Sequence, residues 1–159
     1  MKVAISSDEW CELVDVVLEE CKNKGFEVIY FGPKKNESST DWPLVSAKVA
    51  CLVANKSVDY GIVMCWTGTG ATLAANKIKG VRAALCFDAE TAKGAKIWNH
   101  ANVLGMSLRL TTPFKAKEIL HAFFDTPYSQ DEWNKRQMAT ISELEEKQCK
   151  FFKDIETND

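Results

Sequence analysis

Apolar and polar positions along this chain follow two rhythms, and each switch between them marks an element. Lys2 to Ser6 is a short apolar run that predicts a strand. Asp8 is suited to cap a helix, and Leu13, Val14, Val17 and Leu18 then recur at helical spacing. Lys24-Gly25 ends that helix, Phe26 to Phe31 reads as a second strand, and Gly32-Pro33 through Thr40 is a polar loop. Leu44 to Ala54 carries apolar residues at 45, 49, 52 and 53 and suits a helix. Tyr60 to Cys65 is continuously apolar, as a strand buried on both faces is. A short helix over 71–77, a strand over 81–87, a helix over 89–98 and a strand over 102–106 follow. Two helices, over 113–124 and about 131–152, complete the chain.

Strands and helices thus alternate, and parallel strands need crossover connections. The order therefore predicts an α/β fold: a doubly wound, mostly parallel five-stranded sheet with helices on both faces, in three layers. In such sheets ligands bind beyond the carboxyl ends of the strands. No repeat or flexible linker interrupts the pattern, and 159 residues that are 46% hydrophobic suit one domain over 1–159. Glu143/Lys147 and Glu146/Lys150 mark a solvated face of the last helix, whose Met138, Ile141, Leu144 and Phe151 would pack on this protomer or on a partner.

Twenty basic against twenty-two acidic residues leave no broad cationic field for nucleic acid or an anionic membrane. An anionic ligand must therefore be met by a few placed Arg or Lys side chains. No apolar run has the length of a membrane span, and the opening residues lack the pattern of a secretory signal, so a cytoplasmic protein is expected. The six cysteines show neither CxxC pairing nor zinc-ligand spacing, which predicts free thiols and no metal site.

Candidate chemistry concentrates in Met64 to Lys77. There a thiol, Cys65, stands at a strand end, followed by the glycine-rich turn Thr67-Gly68-Thr69-Gly70 and a helix start. Glycines let backbone N–H groups converge on a ligand oxygen, and a helix N-terminus favours negative charge, including that of a Cys65 thiolate. A thiolate beside an array of N–H donors has what an enolisation needs: a base for a carbon-bound proton and donors for the developing oxyanion. Taken alone, the same residues also suit a buried cysteine before an ordinary tight turn.

Further marks accompany this segment. Ser7-Asp8 opens the chain and Asp41-Trp42-Pro43 follows the polar loop. Cys65-x-Thr67-Gly68-x-Gly70 runs into Ala74-Ala75-Asn76-Lys77. Gly80-x-Arg82-Ala83-Ala84-Leu85-Cys86, Asn99-x-Ala101-Asn102-Val103-Leu104 and Arg109 come later. In this order and spacing, roughly over residues 1–140, the chain resembles the ribose-5-phosphate isomerase B and galactose-6-phosphate isomerase family. The resemblance implies a Rossmann-like fold and a homodimer, with further assembly to a tetramer left open. It also implies active sites at the subunit interface, and aldose–ketose isomerisation of a small phosphorylated sugar through a cis-enediolate, without metal or organic cofactor. Carried over by position, Cys65 would shuttle the proton and Thr67 would assist at the sugar hydroxyls. The backbone at Gly68, Thr69 and Gly70 would hold the enediolate oxygens, Asp8 and Asn99 would bind hydroxyls, and Arg109 and Arg136 would hold phosphate.

The chain departs from that family's pattern at four places. Glu9 stands where a histidine is usual, and a carboxylate repels phosphate. Trp98 aligns with the ring-opening histidine, while His100 follows two positions later, either to recover the acid–base role or as a loop histidine. Glu132 takes the position of one of two paired arginines ahead of Arg136, with Lys135 as a candidate substitute. Trp66 and Trp42 replace a glycine and a tyrosine, so each indole either reshapes the pocket or packs in the core. Three functions fit: a ribose-5-phosphate isomerase; an isomerase of a short open-chain tetrose phosphate such as erythrulose 4-phosphate, which needs no ring opening; or a catalytically weak partner subunit or sugar-phosphate-binding module. The absence of a GxGxxG or P-loop after the first strand speaks against a nucleotide-binding module.

Overall fold

A computed structural model describes residues 1–147. Five strands, β1 (Lys2–Ser7), β2 (Glu27–Phe31), β3 (Tyr60–Cys65), β4 (Ala83–Leu85) and β5 (Val103–Ser107), form one sheet in the order β2-β1-β3-β5-β4. Every pairing in it is parallel. Six helices are described: α1 (Glu12–Asn23), α2 (Trp42–Ala54), α3 (Thr69–Ala75), α4 (Ala89–Asn99), α5 (Pro113–Asp125) and α6 (Glu132–Lys147).

Successive strand residues point to opposite faces, and the two cores follow this alternation. Val3, Ile5, Ile62, Met64, Leu104 and Met106 pack under α1, α4 and α5, whereas Ala4, Val63, Cys65 and Val103 pack under α2 and α3. Burial of each large aliphatic side chain contributes about 1.5–3 kcal/mol. The period-2 pattern thus turns the Cys65 side chain toward α3. The chain leaves β1 in one lateral direction to form β2 and returns past it to form β3, so the sheet has its topological switch point between β1 and β3.

Several boundaries differ from the pattern-based expectation. Asp8 does not cap α1; Cys11 occupies the N-cap without a side-chain bond. α2 starts at Trp42 rather than Leu44, because Pro43 fits a first helical turn where no N–H is needed. β4 shrinks to three residues. At its near end Asn102 replaces the ladder, accepting from the Arg82 N–H at 2.8 Å and donating to the Gly80 carbonyl at 2.9 Å. Asn76 likewise grips both backbone groups of Ala83, at 2.8 and 2.9 Å, closing the open edge. In α6 the Glu143–Lys147 pair forms at 3.3 Å, while Lys150, Phe151 and the expected helix beyond Lys147 lie outside the described residues.

Candidate active site

The switch point is where the candidate residues gather. Ser7 of β1 pairs with Met64 of β3, so Asp8 stands level with Cys65. The Asp8 carbonyl accepts the Thr40 N–H at 2.8 Å, which folds the polar loop back and brings Asp41 and Trp42 over the strand ends. The Asp8 Oδ1 is buried and has no hydrogen-bond partner among the described residues. Burial, reinforced by the neighbouring Glu9 carboxylate, raises the Asp8 carboxyl above the usual carboxylate range. Glu9 is half-buried, and its carbonyl accepts the Ser7 hydroxyl at 2.7 Å.

Cys65 is 5% exposed, and its Sγ accepts the Ala71 N–H at 3.4 Å, a contact that an anionic sulfur makes more strongly than a thiol. The turn between them depends on Gly68, whose φ of +75° is left-handed. A Cβ there would stand 2.6 Å from Leu85 and 2.9 Å from the Met106 backbone. The Gly68 N–H is already bonded to the Cys65 carbonyl at 3.1 Å. The amides of Thr69 and Gly70, at the start of α3, make no hydrogen bond among the described residues and are the donors available to a ligand. The Thr67 and Thr69 hydroxyls lie 2.6 Å apart beside them. Trp42 rests on Gly70, where a Cβ would stand 3.2 Å from the indole ring.

On the other flank, the Ser107 hydroxyl donates to the Trp66 carbonyl at 2.9 Å, and the same carbonyl accepts the Arg109 N–H at 3.0 Å. These bonds hold Trp66, 59% exposed, and Arg109 at the carboxyl end with Cys65. Ser107 drew no attention in the sequence, since a lone serine ending a strand carries no local signal.

Asn99, His100 and Arg136 are not in this group. α4 runs from the carboxyl end of β4 back to the amino end of β5, so Asn99 and His100 lie beside the start of β3, about 16 Å along that strand from Cys65. The His100 ring is turned inward and stacks on Tyr128. Arg136 is exposed on α6, which is tied to the same end through Ser129 N–H to the Ile97 carbonyl and Glu145 to the Gly80 N–H. One protomer therefore carries two groups of candidate residues at opposite ends of its sheet.

The ribose/galactose isomerase family model matches residues 3–141. The chain belongs to the ribose/galactose isomerase family. Among its relatives, the ribose-5-P isomerase B of Listeria innocua is 35% identical over 147 residues, 92% of this chain and 96% of that protein. The galactose-6-phosphate isomerase subunit LacB of Clostridium acetobutylicum is 35% identical over 128 residues, 80% of this chain and 73% of that one. The ribose-5-phosphate isomerase B of Mycoplasma genitalium, solved with bound ribulose 5-phosphate, superposes with a TM-score of 0.85 at 33% identity. That match covers 91% of this chain and 96% of that one. Membership agrees with the parallel sheet and its three-layer, Rossmann-like arrangement. None of the described helices is long and apolar enough to cross a membrane.

Proposed function

We propose that the protein interconverts ribose 5-phosphate and ribulose 5-phosphate, with Cys65 as the proton-transferring base and a homodimer as the active unit. The observation that carries this reading is the Cys65 Sγ held by the Ala71 N–H at 3.4 Å, beside the unpaired amides of Thr69 and Gly70. The thiolate takes the proton from the carbon next to the carbonyl and returns it to the other carbon of the enediolate. The Thr69 and Gly70 amides face the oxygen on which charge develops, and such donors contribute most where they need not reorganise. Thr67 and Asp8 bind hydroxyls, Arg109 meets the phosphate, and Trp42 and Trp66 wall the pocket. Asn99 and Arg136 reach this site from the other protomer, since within their own chain the length of β3 separates them from Cys65. The isomerase names of the relatives and the ribulose 5-phosphate bound to the Mycoplasma protein support the substrate class.

A second reading, a tetrose phosphate such as erythrulose 4-phosphate, is favoured by the two indoles at the pocket and by the inward-turned His100. A sugar whose O4 is esterified forms no furanose and needs no ring-opening acid. Turnover of four-, five- and six-carbon sugar phosphates by wild type and Cys65→Ala tests both readings. Ribose 5-phosphate as the preferred substrate, with activity lost in a folded Cys65→Ala, is the expected result. Preference for the tetrose moves the assignment to the second reading, and undiminished activity in Cys65→Ala removes the thiol from the mechanism. A wild type inactive on every sugar leaves the partner-subunit or binding-module reading.

A further inference from the structure

α4 ends in two interleaved pairs of residues four apart. Lys96 and His100 share one side of the last turn, and Gly94 and Trp98 share another. Both members of the first pair meet Tyr128. The His100 ring stacks on it with centroids 4.8 Å apart and planes 8° from parallel, and Lys96 Nζ lies 4.2 Å from its centroid. Lys96 is only 2% exposed; its Nζ also stands 3.9 Å from the Tyr60 ring, and no carboxylate pairs with it among the described residues. The Tyr128 hydroxyl donates to the Ala101 carbonyl at 3.2 Å, and Arg82 Nε donates to the His100 carbonyl at 2.9 Å. His100 itself takes a left-handed backbone, φ +45°, and its Nε2 is buried without a hydrogen-bond partner among the described residues. A residue with a β-carbon persists in that conformation only where its surroundings hold it.

The second pair faces away from this cluster. The Trp98 indole lies back over Gly94, where a Cβ would stand 2.8 Å from its ring, and it is 58% exposed. Trp98 and Asn99 line a groove of about 790 Å³ that α6 bounds with Met138 and Ile141.

We infer that Arg82, Lys96, His100 and Tyr128 form a positioning clamp, which fixes the last turn of α4 so that Asn99 and Trp98 are presented already ordered to the Cys65 half-site of a second copy of the chain. This rests on the reading of Asn99 as a substrate ligand supplied across an interface. In the clamp His100 acts by stacking and backbone shape, through its neighbours, and no proton passes through its imidazole. Lys96 and Tyr128 lie outside the segments that carry the family resemblance, and ordering a ligand before binding lowers the cost of reaching the reactive geometry.

The test is steady-state isomerisation of ribose 5-phosphate across pH, with thermal unfolding of each variant alongside. Asn99→Ala, His100→Ala and Tyr128→Ala are each expected to raise KM about ten-fold, with kcat within about three-fold and its pH profile unmoved. His100→Phe, which keeps a flat ring for the stack and no titratable atom, is expected to bring KM back to within about three-fold of wild type. Should the alanine variants fail to fold, Tyr128→Phe and Gly94→Ala report instead: the first keeps the ring but loses the hydroxyl with its bond to Ala101 and its contacts to Tyr60 and Arg82, the second disturbs the seat of Trp98, and each is expected to raise KM. The clamp is overturned if Asn99→Ala raises KM while His100, Tyr128 and Gly94 variants keep the wild-type value. It is equally overturned if His100→Phe fails to rescue and loses a limb of the pH profile. If the wild type does not isomerise, or Asn99→Ala leaves KM unchanged, the functional reading itself has failed and takes the clamp with it.

Discussion

The two ends of the sheet are built by different means. At the carboxyl end, one stretch of seven residues from Cys65 to Ala71 supplies a sulfur, two hydroxyls and the free amides, and a single left-handed glycine sets their geometry. At the amino end, Tyr60, Arg82, the α4 pair Lys96 and His100, and Tyr128 come from four separate parts of the chain and meet through ring stacking, a buried cation and bonds to carbonyls. The first, the candidate site, is made largely of backbone, which places donors without costing side-chain entropy. The second is a support made of side chains, and its product is the shape of the adjoining turn. On the proposed reading, in which the two ends meet across an interface between two copies, altering what the turn presents, here Trp98 and Asn99, changes the substrate-facing side while leaving the Cys65 end alone.

The comparison is broken most severely at Cys65. Cys65→Ala should lower kcat by about 10²–10⁴-fold, the range for loss of a general base, with unchanged thermal unfolding. Mixing tests the division between protomers. Assayed at substrate well below KM, where Asn99→Ala is impaired, Cys65→Ala refolded together with Asn99→Ala should restore about a quarter of wild-type activity, because half of the dimers then hold one intact site. No recovery on mixing would mean that both residues serve a site in the same chain. Gly68→Ala should cost about 2–4 kcal/mol in denaturant unfolding, since it adds left-handed strain to a clash with Leu85 and the Met106 backbone.

Asp8 gives a smaller, pH-dependent effect. Its folded carboxyl titrates above the ordinary range because burial opposes its charge, so the folded chain holds that proton more tightly than the unfolded chain. Stability is therefore lost as pH rises through the interval between the two values, and the cost persists at neutral pH. Asp8→Asn should raise the Tm at pH 7 while weakening substrate binding, and the Tm gain should vanish at pH below the unfolded carboxylate range. Glu143→Ala, on the exposed face of α6, should change stability by about 0.5 kcal/mol or less.

Much of this was written in the order of the residues. Period-2 and period-3.6 patterns determine five strands and the helices between them, and right-handed crossovers then leave few ways to assemble a parallel sheet. The grouping of the candidate residues at the carboxyl end was legible for the same reason: the thiol, glycines and hydroxyls are contiguous, so their spacing is their geometry. Asp8 needed more, since its pattern suited a helix cap and only the pairing of Ser7 with Met64 brought it level with Cys65. What tertiary structure alone decided is which side chains separated by tens of residues share a ring or a carbonyl. Helical spacing places Lys96 beside His100, but Tyr128 lies in the segment after α5 and nothing local marks it, or Tyr60, as a neighbour of that pair. It also decided that Asn99 and Cys65 stand at opposite ends of one protomer, because a parallel sheet carries every strand in the same direction and each returning helix ends where the next strand begins.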